Sequence, residues 1–252
     1  MATWVFLAFL YMPLFVLVVY SFNANNLVTI WTGFSLRWFV KVLHNPDIRD
    51  AAINSLVIAV VATILSTLLA TAAALALERG RNFRGFGTVN GLISLPLVVP
   101  EVVVAITTLI FFSSIGLNLG LGNLIIAHTV FCIPFAVLPI RARLKDMGGA
   151  YEEAGRDLYA DEWRLFRRVT LPLIAPAIGA GGILAFVTSL DDFLISLMVS
   201  GPGTTTLPVY VYGMMRLGVT PEVNAISTLL LVLSVSLVVL ALLLGRRARS
   251  RD

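Results

Sequence analysis

The chain has 252 residues, 58% of them hydrophobic and 13% charged, with 18 basic against 14 acidic side chains and a net charge of +4; mean hydropathy is +0.93. Soluble domains carry about a quarter charged residues, so a soluble globular protein is excluded. A membrane-crossing helix takes about 20 apolar residues, which leaves room for about six spans and no second domain, and the basic excess is read against a membrane and not against nucleic acid.

Six apolar runs, at residues 4–22, 51–77, 89–112, 122–140, 174–199 and 223–245, are each predicted to be a transmembrane helix, making residues 1–252 one all-α membrane domain. The first run could pass for a signal peptide. No basic residue precedes it, however, and Asn23, Asn25 and Asn26 follow it in place of a small-residue cleavage site. It is read as an uncleaved span, and the missing basic flank as a sign that Met1 is not the natural start. Trp4 and Tyr20 near its ends, with Trp31 and Trp38 in the next loop, stand where interfacial aromatic anchors stand. In the third run Glu101 follows Pro100, with Pro96 one turn earlier. Two prolines remove backbone donors and kink a spanning helix, which is tolerated where the helix lines a cavity, and Glu101 is therefore placed on a substrate path. The fourth run holds His128, read as an interhelical hydrogen-bonder, and Cys132, the single cysteine, which excludes an intramolecular disulfide and a Cys-x-x-Cys cluster.

The loop at 141–173 is the longest inner one, and its part 150–172 is too polar to span. It is predicted to form two short helices. In the first, Glu152 and Glu153 lie near the N-terminus, where the helix dipole favours anions, and Tyr151, Ala154 and Leu158 share one apolar face. The second starts with Asp161 as N-cap, carries Leu165, Phe166 and Val169 on one side and ends before Pro172. Such a pair suits docking into a partner's groove, or lying on anionic lipid with Arg164, Arg167 and Arg168 against the headgroups; the residue types leave both open.

The fifth run contains Gly179, Gly181 and Gly182, which allow close helix packing, and the pair Asp191 and Asp192. An acidic side chain at the centre of a span costs about 2.5–3.5 kcal/mol, so Glu101, Asp191 and Asp192 need a cavity or a partner. Consecutive helical residues point about 100° apart, and unless the helix is broken the two aspartates must differ in role. Asp192 shares a stripe with Ser189 and Ser196 and is assigned to the path; Asp191 is assigned to a neighbouring helix or a gate. Spaced carboxylates could replace water around a multiply charged cation such as a polyamine. A proton relay, a protonated interhelical hydrogen bond or an ion pair with a partner would use the same residues. In the loop at 200–222, Gly201, Pro202, Gly203, Pro208 and Pro221 bracket a short interfacial helix expected over Val209 to Leu217.

With both termini inside, Arg79, Arg81, Arg84, Arg141, Arg143, Lys145, Arg156, Arg164, Arg167, Arg168, Arg246, Arg247, Arg249 and Arg251 are inner. Only Arg37, Lys41, Arg49 and Arg216 are outer, a clear positive-inside asymmetry. No G-x-x-x-x-G-K-S/T, G-x-S-x-G or H-E-x-x-H motif occurs, and His44 and His128 are isolated. Neither catalytic residues nor metal ligands are assigned. No cofactor is expected on this chain, and any ATP with its Mg belongs to partner subunits.

The segment 153–172 resembles the motif E-A-A-x3-G-x9-I-x-L-P of the integral membrane permeases of bacterial ABC importers, where it forms the coupling helix seated in the ATPase subunit. The motif positions here are Glu153, Ala154, Gly155, Tyr159, Val169, Leu171 and Pro172, so Gly155 and Tyr159 depart from it. Tyr-Ser-Phe-Asn at 20–23, Asn-Ser-Leu at 54–56, Pro-Leu-Val-Val-Pro-Glu at 96–101, Ser-Leu-Asp-Asp-Phe at 189–193 and Ser-Gly-Pro-Gly-Thr-Thr-Thr-Leu-Pro-Val-Tyr at 200–210 look closest to permeases of the spermidine/putrescine type. The resemblance implies a type I importer in a bacterial cytoplasmic membrane, with a second homologous permease, two ATP-binding subunits inside and an extracytoplasmic substrate-binding protein. It implies ATPase coupling in this loop, assigned to Glu152, Glu153, Ala154, Gly155, Leu158, Tyr159, Leu171 and Pro172, and with the acids placed above it makes polyamine import through Glu101, Asp191, Asp192, Ser189 and Ser196 the expected function. Another cation such as ferric ion is a rival within the class; a proton-coupled carrier or cation channel is a rival outside it.

Overall fold

The computed structural model describes residues 2–26, 30–80, 84–218 and 220–249; Met1, Arg81 and Arg251, which entered the readings above, lie outside them. The helices in chain order are α1 (Ala2–Tyr20), α2 (Arg37–His44), α3 (Pro46–Arg79), α4 (Phe86–Ser94), α5 (Glu101–Ser114), α6 (Leu121–Met147), α7 (Ala150–Asp157), α8 (Glu162–Leu165), α9 (Leu171–Asp191), α10 (Leu194–Val199), α11 (Leu207–Leu217) and α12 (Pro221–Arg249). Among the described residues the one extended pairing is an isolated bridge between Asn23 and Phe34. By length and composition, residues 3–20, 46–79, 121–147 and 162–191 can each cross a membrane, and α4 with α5 adds one broken crossing. α12 runs 29 residues through the last apolar run.

Local chemistry accounts for several boundaries. α3 starts at Pro46, ahead of the apolar run, because the Asn45 side chain accepts from the N–H groups of Asp47 at 3.0 Å and Ile48 at 3.4 Å. Proline at the first helical position and an acid in the first turn complete that cap. α6 outlasts its apolar run through Arg141 to Met147 and stops at Gly148, whose φ of 59° ends the helix. α11 forms over Leu207–Leu217, as the bracketing prolines led one to expect.

Three expected elements differ from the observed ones. The run at 89–112 is not one kinked span: α4 continues into a tight turn at Leu95–Leu97, and α5 leaves at 110° to it. Pro100 disfavours helical backbone at Val99, and neither proline can donate to the preceding turn. The run at 174–199 is likewise broken, since α9 ends at Asp191 and Asp192 is extended, with φ −62° and ψ 129°. In the inner loop Asp161 does cap α8, accepting from Arg164 N at 2.8 Å. That helix does not end before Pro172, however; it widens into a π turn at Phe166–Thr170 and runs straight into α9. The wider turn leaves room for the proline ring, which would strike the carbonyl four residues earlier in a regular helix.

The chain divides into two compact units, residues 1–54 with 205–236 and residues 55–204 with 237–252. In the first, Trp38 and Val42 of α2 pack with Ile48, Ala51, Leu207, Ala225 and Ile226. Trp38 is thus buried in the chain's own packing, donating its indole N–H to the Asn23 carbonyl at 2.8 Å, and does not serve as a lipid-interface anchor. Lys41 of α2 pairs with Glu222 of α12 at 2.7 Å. In the second unit the core is built around α6, with Leu124, Cys132, Ala136 and Ile140 fully enclosed. At Gly181 of α9 a side chain is impossible, because a Cβ would stand 2.6 Å from the Ala136 carbonyl oxygen of α6. Gly179 meets nothing and Gly182 meets Thr67 at ordinary contact distance, so Gly181 alone in that glycine run sets the approach of the two helices.

Candidate functional site

Each of the two broken spans places a carboxylate at the start of a helix. Glu101 opens α5, directed there by extended Pro100. Asp192 lies in the break before α10, where its Oδ2 accepts from Ser196 N at 2.8 Å and its Oδ1 from Ile195 N at 3.4 Å. Unpaired N–H groups and the positive end of the helix dipole compensate an anion at such a point. The two side chains then meet: the Glu101 and Asp192 carboxyl groups lie within hydrogen-bonding reach of one another. Two carboxylates that close repel one another, and a cation placed between them relieves that repulsion.

Asp192 is only 5% exposed, and Ser189, Ser196 and His128 around it are buried as well. His128 of α6 places Nδ1 2.8 Å from the Ser189 hydroxyl and Nε2 3.1 Å from the Ser196 hydroxyl, with Asp192 Oδ2 3.4 Å from Nε2. Glu101, Ser189, Asp192 and Ser196 are therefore brought together, while Asp191 ends α9 on its exposed side. His128 was not among the path residues read from sequence. Its local signal is a lone histidine in an apolar run, and its partners lie 61 and 68 residues further along the chain.

The inner loop forms a second cluster. Glu152 is turned inward and is 5% exposed. It pairs with Arg79 Nε of α3 at 2.7 Å and accepts from the Thr170 hydroxyl at 3.0 Å. Arg79 in turn donates to the carbonyls of Leu144 and Gly148 at the end of α6. One carboxylate thus ties α7 to the ends of α3 and α6 and to the turn entering α9. Beside it Arg141 donates to Glu78 at 2.7 Å and to Asn90.

Glu153, Ala154, Leu158 and Tyr159 face outward, Leu158 at 82% and Tyr159 at 96% exposure. Gly155 lets α7 sit on α8, since a Cβ there would fall 2.5 Å from Leu165 Cδ1. Leu171 is half-buried and Pro172 exposed at the head of α9. On the loop's rim a hydrogen bond from Arg156 at 2.9 Å, and then its charge, hold the Glu162 carboxyl below the ordinary carboxylate range; both groups are solvated, so the pair contributes little stability. Tyr159 has φ 59°, the one left-handed non-glycine among the described residues. A side chain in that region costs about 1–2 kcal/mol. Tyr159→Gly is accordingly expected to exceed Tyr159→Ala in stability by about 1 kcal/mol in thermal unfolding of the purified protein.

Residues 66–250 match a family model described as binding-protein-dependent transport system inner membrane component. The chain is 39% identical over 239 residues to the spermidine/putrescine transport system permease protein PotC of Escherichia coli (strain K12), covering 95% of this chain and 90% of that protein. It is 41% identical over 229 residues to the putrescine transport system permease protein PotI of the same strain, covering 88% and 82%. The crystal structure of a bacterial alginate ABC transporter in complex with an alginate pentasaccharide-bound periplasmic protein shares the fold at a TM-score of 0.74 and 20% identity, over 98% of this chain and 91% of the other. The inward-facing MetNI methionine ABC transporter shares it at 0.67 and 19%, over 79% and 94%. With an all-helical fold of this type, a family model over most of its length and relatives at 39% and 41% identity, the chain belongs to the binding-protein-dependent transport system inner membrane components, the permease subunits of ABC transporters.

Proposed function

We propose that this chain is the permease subunit of an ATP-driven importer of polyamines, spermidine or putrescine, in a bacterial cytoplasmic membrane. The observation that carries the reading is the Glu101–Asp192 pair, two acids meeting at the starts of two broken spans. A polyamine presents ammonium groups separated by short methylene chains. One ammonium can sit against both carboxylates and replace its lost water with charge-assisted hydrogen bonds, while the methylenes follow apolar walls. Relatives named for spermidine and putrescine transport support this choice over a ferric ion.

The positive-inside asymmetry supports a loop at 141–173 in the cytoplasm and loops at 23–50 and 200–222 outside. There the outer loops receive a substrate-binding protein and the inner loop meets an ATP-binding subunit, in an assembly of two permeases and two such subunits. Glu153, Ala154, Leu158 and Tyr159 form the seat for the ATP-binding subunit. Glu152, through Arg79 and Thr170, passes the seat's displacement to α3, α6 and α9. ATP and Mg are held by the partner subunits, and this chain performs no covalent chemistry.

The test is uptake of labelled spermidine by cells lacking their own polyamine systems and expressing this chain with its neighbouring subunits. Uptake is expected to stop on ATP depletion and to survive collapse of the proton gradient. Uptake requiring only this chain and the membrane potential would overturn the importer reading in favour of a carrier or channel.

A further inference from the structure

We propose that His128 is the positioning residue of the substrate carboxylates, a clasp that closes the break in the α9–α10 span and thereby aims Asp192 at Glu101. The inference rests on the polyamine-path reading and adds to it a residue that acts through the carboxylates and not on the substrate itself.

A helix break inside a membrane leaves backbone groups without intrahelical partners, and the two half-helices are free to swing unless something outside the break spans it. Asp192 spans it from within, by capping Ile195 and Ser196. His128 spans it from the neighbouring helix: Ser189 lies before the break and Ser196 after it, and the imidazole holds one with each ring nitrogen, at 2.8 and 3.1 Å. A neutral imidazole has one donor and one acceptor, and a serine hydroxyl can answer either, so both contacts form in either tautomer. The ring is 1% exposed, sits in α6 at the centre of the core, and is anchored one turn later by Cys132, whose thiol donates to the Ala185 carbonyl of α9 at 3.4 Å. With both ends of the break tied to α6, the Asp192 carboxylate is held by Ile195 N, Ser196 N and His128 Nε2, the last at 3.4 Å, with the Glu101 carboxyl beside it. Loss of the clasp frees the half-helix α10 and spreads the orientation of Asp192, so substrate affinity falls first. A histidine serving only as core filling would instead alter the amount of folded protein and leave affinity per assembled transporter unchanged.

The test uses the complete transporter, this chain with its partner permease, ATP-binding subunits and binding protein, in proteoliposomes, with labelled spermidine and putrescine as probes and rates expressed per assembled complex. His128→Leu, matched in bulk and without hydrogen bonds, is expected to raise the apparent KM about tenfold with ATP hydrolysis within about twofold of wild type; His128→Gln, which can reach both serines, recovers most of the loss. Ser189→Ala and Ser196→Ala each remove one arm and are expected to raise KM several-fold without touching the histidine, so the test stands even if a His128 variant fails to assemble. In an Asp192→Asn background His128→Leu is expected to add less than about twofold, because both act through one carboxylate. Wild-type KM in both serine variants, or fully multiplicative effects of the His128 and Asp192 changes, would overturn the proposal. If instead the wild-type complex moves neither polyamine, or Asp192→Asn leaves KM unchanged, it is the underlying path reading that fails.

Discussion

Asp192→Asn is expected to raise the apparent KM for spermidine uptake about tenfold or more, equivalent to about 1.4 kcal/mol of lost binding. The amount of assembled transporter should stay near wild type. The amide keeps the shape of the carboxylate, and its oxygen can still accept from Ser196 N, the 2.8 Å bond that caps α10. What it lacks is the charge that, together with Glu101, balances an ammonium group in a site shielded from water. Glu101→Gln should produce a similar loss, and the double variant less than the product of the two, because both acids serve one cation. Asp191→Asn is the internal control. Asp191 is exposed at the end of α9 and Asp192 buried, so its substitution should change KM by less than about twofold. A larger effect at Asp191 than at Asp192 in the same uptake assay would reverse the two roles.

Glu152→Ala is expected to separate ATP hydrolysis from transport. Removing one partner of a fully buried ion pair costs about 3–5 kcal/mol. Glu152 is enclosed and the Arg79 side chain keeps 24% of its surface, so the cost here is about 2–3 kcal/mol, within that principle discounted for solvent. The greater effect is mechanical. Among the described residues Glu152 gives α7 its ion pair with Arg79 at the end of α3 and its hydrogen bond from Thr170 at the entry to α9, and without it α7 keeps its packing on α8 but loses its tie to α3. In proteoliposomes containing all subunits, substrate moved per ATP consumed should fall about tenfold while hydrolysis continues. Glu152→Gln retains the acceptor for Thr170 and should lie between. Glu153→Gln, a change on the seat itself and away from the Arg79 pair, should lower hydrolysis and transport together and leave their ratio within about twofold of wild type. An unchanged ratio in Glu152→Ala would show that motion enters the spans by another route.

Features that depend on composition and near neighbours were legible in the chain. Apolar runs of sufficient length predicted an all-helical membrane fold, because a backbone in lipid must satisfy its own hydrogen bonds and a helix does so within one segment. Asp161 announced its cap, the prolines of the 200–222 loop bracketed α11, and the motif at 153–172 pointed to the family. What remained hidden lies in the breaks. A hydropathy window scores α4 with α5, or α9 with α10, as one continuous run, since both halves of a broken helix are equally apolar. Whether the backbone turns by 110° at Pro100 or opens at Asp192 depends on what receives the exposed ends, and those groups come from other helices. The fate of the two aspartates followed from that: consecutive residues diverge by about 100° only in an intact helix, and tertiary contacts open this one at Asp192. The same reason separates Glu152 from Glu153, adjacent acids whose opposite orientations are set by Arg79, far back in the chain. It also explains Trp38, an interfacial anchor by position and a core residue by packing. The chemistry of the site was present in the sequence as residue types; its geometry was decided by long-range hydrogen bonds, which leave no periodic trace in the chain.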